Sequence, residues 1–140
     1  MPADRVMTRP RPALIAVAVA LDAVLVVVFA ATGRASHAEN VLAGLWQTSW
    51  PFLAALAVGW AATLAWRAPL APLRTGLGVW GVTVAGGMLL RWASGQGVQL
   101  AFVIVAASVL LVMLVGWRGI AALVRVVRAA LRRRDAEDPR

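Results

Sequence analysis

Five side chains in this chain could do chemistry that their surroundings do not otherwise call for. Asp22 lies inside the apolar run AVAVALDAVLVVVFAAT. Arg34, His37 and Glu39 follow in FAATGRASHAEN, directly after that run, and Arg91 closes another. A carboxylate among aliphatic residues can relay a proton, hold a cation, or bind neighbouring helices together. An arginine pair with the chain's only histidine suits recognition of an anion or proton exchange, because imidazole titrates near neutral pH. What these residues can do depends on the elements that carry them.

Composition sets the class of those elements. The chain has 140 residues, 61% of them hydrophobic, with a mean hydropathy of +0.79. That is too apolar for a water-soluble domain of this size. With no cysteine, disulfide, thiolate and Cys-metal chemistry are excluded. One histidine and no tyrosine narrow catalysis further, and no metal-ligand cluster, nucleophile elbow or phosphate loop is present. The expectation is no catalytic residues, no metal and no cofactor. Net charge is +8, but the arginines flank apolar runs or collect in the tail, a pattern that fits anionic lipid heads and not nucleic acid.

Four runs are long enough to cross ~30 Å of hydrocarbon at ~1.5 Å per residue. They cover residues 13–32, 49–66, 73–92 and 99–117. Pro51 is expected in the first turn of the second, where its missing N–H costs nothing. Gly76, Gly78, Gly81, Gly86 and Gly87 interrupt the third and allow close backbone approach. The predicted fold is all-α: a membrane-embedded antiparallel four-helix bundle over residues 13–117. A basic N-tail (1–12) precedes it, and a basic amphipathic helix (118–134) and a disordered end (135–140) follow. Ser36 and Glu39 match a capping box, so a short interfacial helix from His37 to about Trp46 is expected after the first span.

Twelve of the fourteen arginines fall on one side if both termini are cytoplasmic, leaving Arg34 and Arg91 opposite. The positive-inside rule therefore predicts a multi-pass protein of the plasma membrane with both tails in the cytosol. Arg34, His37 and Arg91 then share the outer face as an anion, lipid or partner site. Ser36, Glu39, Trp46, Trp50 and Trp92 are its candidate supports, although the ordinary interfacial belt accounts better for the tryptophans. On the tail, Arg118, Arg125, Arg128 and Arg132 share a face and are expected on inner-leaflet lipid. A simple cytoplasmic extension of the fourth helix is the alternative.

Asp22 lies eleven residues beyond Arg11, ~16 Å along a helix and near the bilayer midplane. Depth predicts Thr83, Ser108 or the Trp80 indole as its partners. An acid there costs ~2.5–3.5 kcal/mol on insertion scales, so it must face the protein interior.

At these residues the chain resembles a known family. Asp22, Gly33-Arg34-x-Ser36-His37, Pro51-Phe52, Gly59-Trp60, Arg91 and Gly116-Trp117-Arg118 look like DUF3054, small integral membrane proteins of unknown function. The resemblance covers about Asp22 to Arg118 and implies membership of one recurrent design, with no activity attached. Three classes are left. A non-enzymatic binding or accessory protein, holding a lipid, quinone or partner subunit at the outer Arg/His site, needs the least chemistry. A small oligomeric proton-linked transporter or channel using Asp22 is the alternative, and an enzyme has the weakest support. Membrane lipids are the expected partners, and both a homo-oligomer and a membrane-complex subunit are open.

Overall fold

The computed structural model describes residues 9–37 and 40–137. All its regular structure is helical: α1 (Pro12–Ser36), α2 (Val41–Ala62), a 3-10 turn (Ala65–Arg67), a π-helical turn (Pro72–Leu77), α3 (Gly78–Ala93) and α4 (Leu100–Glu137). Four helical segments, Pro12–Ala35, Val41–Ala62, Pro72–Ala93 and Leu100–Glu137, are long and apolar enough to cross a membrane. Only 17–28% of the most apolar window of each is buried inside the protein. The outward surface is therefore largely hydrocarbon, which only an apolar solvent can cover without penalty. This is a membrane protein.

Local chemistry sets the helix ends. Pro12 occupies the first turn of α1, where no N–H is needed. Asn40, not Ser36, starts α2: its side chain accepts a hydrogen bond from the Ala43 N–H at 3.1 Å. Ser36 is the last residue of α1, and Glu39 lies outside the described residues. The short interfacial helix expected after the first span does not exist as a separate element, because α2 absorbs Val41 to Trp46. Pro51 consequently falls in the helix interior and not in its first turn. With no N–H at Pro51, the carbonyl of Gln47 loses its intrahelical donor.

Between α2 and α3 the chain turns through Leu64, which adopts a left-handed conformation (φ 51°). Thr75 Oγ1 then donates to the Ala68 carbonyl at 2.6 Å, closing the connection over the π-helical turn. That turn lies against α4: a Cβ on Gly76 would stand 3.3 Å from Arg118 Cδ and 3.4 Å from Val115 Cγ2. The expectation of close helix approach through glycine holds for α2 and α3. A Cβ on Gly86 would come within 2.9 Å of Ala55 Cβ, and one on Gly87 would overlap the Phe52 ring. Gly87→Ala should therefore destabilise the fold by about 1–3 kcal/mol. Gly81→Ala, whose added methyl meets nothing within 4 Å, should be neutral or slightly stabilising. Equilibrium unfolding in detergent measures both.

The α3–α4 turn uses positive φ at Gly95 (72°) and Gly97 (75°). From there α4 runs unbroken for 38 residues, ~57 Å, through both Gly116 and Gly119. The segment expected as a distinct amphipathic helix is a continuation of α4, and helix persists to Glu137 where the sequence suggests a disordered end. Chain ends and connections divide the molecule into two faces. The start of α1, the α2–α3 connection and the Arg118 region of α4 lie together on the tail face. The end of α1, the start of α2, the end of α3 and the start of α4 meet on the loop face.

Candidate functional site

Two constellations occupy these faces. On the tail face Asp22 is completely buried, and α4 delivers its partner: Arg118, also completely buried, meets the carboxylate edge-on. Arg118 Nη1 donates to Oδ1 at 2.9 Å and Nη2 donates to Oδ2 at 2.7 Å. Two indoles complete the shell. Trp60 Nε1 donates to Oδ2 from α2, and Trp117 Nε1 donates to Oδ1 from α4, each at 2.9 Å. Each carboxylate oxygen thus accepts two hydrogen bonds, an arrangement that suits the ionised form and leaves no position for a proton. The remaining guanidinium donors hold the protein together locally: Nε donates to the Pro69 carbonyl (2.9 Å) and Nη1 to that of Leu114 (2.7 Å). The guanidinium also lies 4.5 Å from the Trp117 ring centroid. One ion pair therefore ties together α1, α2, α4 and the α2–α3 connection.

This corrects two sequence-based expectations. Asp22 does not meet Trp80, Thr83 or Ser108. Trp80 Nε1 donates to the Ala107 carbonyl (2.8 Å), the exposed Ser108 donates back to its own helix at Ile104, and Thr83 Oγ1 is buried with no hydrogen-bond partner. Depth alone misleads because α4 turns Ala106, Leu110, Leu114 and Arg118 inward, so Ser108 points away. Arg118, in turn, is not a lipid contact, whereas Arg125, Arg128 and Arg132 are exposed further along α4. A guanidinium beside an apolar span reads as interfacial, yet its long stem lets the head reach back to a buried carboxylate. Trp60 and Trp117 carried one available signal, their adjacency to Gly59 and to Gly116 and Arg118 in the family-like motifs.

On the loop face, Arg34, His37 and Arg91 do converge, around a cleft of about 560 Å³. Arg34 is held over Gly44, where any Cβ would collide with its guanidinium. It donates to the Asn40 carbonyl through Nε (3.2 Å) and Nη2 (3.0 Å), and to Thr48 Oγ1 through Nη1 (3.3 Å). Arg91 stacks 4.5 Å from the Phe102 centroid and donates from Nη1 to Gln96 Oε1 at 3.0 Å. Its Nε is buried and has no partner. Gln47, Thr48 and Gln99 add polar groups, while Phe29, Phe102 and Val105 make an apolar floor. The three phenylalanines of the chain pack as one group, with Phe29 and Phe52 edge-to-face at 5.5 Å and Phe102 against both.

Among the described residues, no carboxylate lines this cleft. Two guanidinium groups and an imidazole thus stand over an apolar floor. The expected tryptophan walls are absent: Trp46 and Trp92 are 73% exposed, and none of Trp46, Trp50 and Trp92 lines the cleft. Phenylalanines take that place, because Trp46 and Trp92 turn outward at belt depth.

The residues that form both constellations coincide with the family-like motifs of the sequence. A family model described as "Protein of unknown function (DUF3054)" matches residues 19–121. The chain belongs to the DUF3054 family. The matched span contains Asp22, Trp60, Trp117 and Arg118 of the tail-face cluster and Arg34, His37 and Arg91 of the loop-face cleft. The basic end of α4, from Ala122 onward, lies outside the DUF3054 match. No curated protein and no solved structure matches the chain, so the DUF3054 assignment brings no activity with it.

Proposed function

We propose that the protein is a non-enzymatic membrane binding protein whose loop-face cleft holds the anionic head of an amphiphile, a lipid in the first instance. The observation that carries this is the convergence of Arg34, His37 and Arg91 above a phenylalanine floor. Charge-assisted hydrogen bonds to guanidinium groups are the strong kind, and the unpartnered Arg91 Nε leaves one donor for a ligand oxygen. Val105, five residues into α4 and 55% exposed, forms part of the wall. The cleft thus extends ~8 Å below the start of α4, deep enough for an acyl or isoprenoid tail to leave sideways between α1 and α4. A quinone offers the tail without the anion, and a partner subunit would need to bring an acidic group; both fit the cleft less fully.

The arginine bias supports an arrangement as a four-helix bundle in the plasma membrane, both termini cytoplasmic and the cleft on the outer leaflet. Arg125 and Arg128 follow Arg118 by ~10 and ~15 Å of helix, within reach of inner-leaflet phosphates, and Arg132 stands further out. A proton-linked transporter using Asp22 draws less support, because moving a proton onto that carboxylate would require breaking at least one of four hydrogen bonds. Proteoliposomes bearing a pH gradient should accordingly show no proton flux beyond that of empty vesicles. Flux abolished by Asp22→Asn would restore the transporter reading.

The binding proposal is tested by native mass spectrometry of protein released from nanodiscs of mixed anionic and zwitterionic lipid. Selective retention of an anionic lipid is expected, with the selectivity lost in Arg91→Ala. Equal retention of both lipid classes would reject it.

A further inference from the structure

The cleft on the loop face holds more hydrogen-bonding groups than a bare anion would engage. Arg91 offers one whole edge of its guanidinium. Nη1 is spent on Gln96, but the buried Nε has no partner, and neither has Nη2 among the described residues. Nε and Nη2 lie side by side in the guanidinium plane, so together they can take two oxygens of one carboxylate or phosphate. Arg34 contributes charge, its three nitrogens being engaged on Asn40 and Thr48. The other groups are neutral. The side-chain amides of Gln47 and Gln99 line the cleft and make no hydrogen bond among the described residues. Pro51, one turn below Gln47 and buried on the same side of α2, leaves the Gln47 carbonyl without its helical N–H. An acceptor thus stands open beside an amide.

We propose that the head held there is a phosphodiester whose outer ester carries hydroxyl groups, as in a phospholipid with a glycerol head. This rests on the reading of the cleft as a receptor for an anionic amphiphile, and narrows it. The two unesterified phosphate oxygens meet the Arg91 edge, in the field of Arg34. Hydroxyls donate and accept, as the amides of Gln47 and Gln99 do, and one of them can donate to the Gln47 carbonyl. A fatty-acid carboxylate or a phosphomonoester would satisfy Arg91 but leave these neutral groups to water. An ammonium-bearing head would bring a third cation beside two guanidinium groups. Size agrees with the larger head. The cleft of about 560 Å³ falls within the ~300–1,000 Å³ of sites that enclose a whole small molecule, and a carboxylate alone would leave most of it empty. Phe29 and Phe102 offer the glycerol backbone and first methylenes an apolar seat, which favours the lipid over a soluble diester.

Phosphatidylglycerol and phosphatidylethanol make a matched pair of probes, equal in charge and acyl chains and different in their hydroxyls. From nanodiscs holding both at equal mole fraction in phosphatidylcholine, native mass spectra should show phosphatidylglycerol retained about fivefold or more over phosphatidylethanol. Equal retention of the two would overturn the proposal while leaving the broader anionic reading intact, provided that both exceed phosphatidylcholine. Retention of neither above phosphatidylcholine would overturn both. Gln99→Ala, at an exposed side chain, and Pro51→Ala, which returns an N–H to the Gln47 carbonyl, should each lower the preference about twofold or more. Arg91→Ala should lower retention of both anionic lipids together. A preference that survives Gln47→Ala, Gln99→Ala and Pro51→Ala alike would reject the hydroxyl contacts and with them the proposal. Release of bound phosphatidylglycerol by an equimolar amount of glycerophosphoglycerol would overturn it too, by assigning the cleft to a soluble diester.

Discussion

Removal of the Arg118 side chain (Arg118→Ala) is expected to cost about 3–5 kcal/mol of stability, the largest effect of any single substitution in this protein. The variant would leave the Asp22 carboxylate buried at the tail end of the molecule with only the two indole donors, and would release the Pro69 carbonyl from its tie to α4. Asp22→Ala should do comparable damage by stranding a buried guanidinium. The physical content lies in the comparison with the double variant. Removing both charges leaves neither uncompensated, so Asp22→Leu with Arg118→Leu should recover more than half of either loss. Unfolding in a graded detergent–denaturant series gives the three numbers. Additive losses would mean that the two groups act independently, contrary to hydrogen bonds of 2.7 and 2.9 Å between them.

Arg91 and Arg34 should part company in a second comparison. Arg91 has its guanidinium stacked on Phe102 and one buried N–H without a partner, so it can give a donor to a ligand at little internal expense. Arg91→Ala is expected to weaken binding of an anionic amphiphile at least tenfold, about 1.4 kcal/mol or more, with a smaller change in unfolding free energy. Arg34 spends three donors on Asn40 and Thr48, joining the end of α1 to the start of α2. Arg34→Ala should lower affinity and stability together, the latter by about 1–3 kcal/mol. Lipid titration followed by intrinsic tryptophan fluorescence, set beside thermal unfolding, separates the two. Equal effects of both substitutions on stability would remove the distinction between a ligand-binding arginine and a tying one.

Much of this was legible in the residues. Long apolar runs must bury their backbone polarity in helices, so membrane spans follow from length and hydropathy alone. The grouping of Arg34, His37 and Arg91 follows from alternation of direction, since every second helix end returns to the same face. Gly86 and Gly87 also announced close packing, and α2 lies there. The partner of Asp22 was not legible. Thr83 and Ser108 match it in depth, but depth does not say which side of a helix faces inward, and the drift of the inward row along α4 decides that. Arg118 looked like any arginine at the end of a span.

The sequence by itself determined the solvent, the number of membrane-capable helices and the end of the molecule at which Arg34, His37 and Arg91 gather. Periodicity and hydropathy are properties of a segment taken alone, and these conclusions needed nothing more. Only the tertiary structure decided who meets whom. An ion pair between positions 22 and 118 depends on how two helices are rotated about their axes, and rotation is set by the packing of all four together. Whether Arg118 meets a phosphate or a carboxylate is a question of a few ångströms of side-chain reach, and that distance exists only in the folded chain.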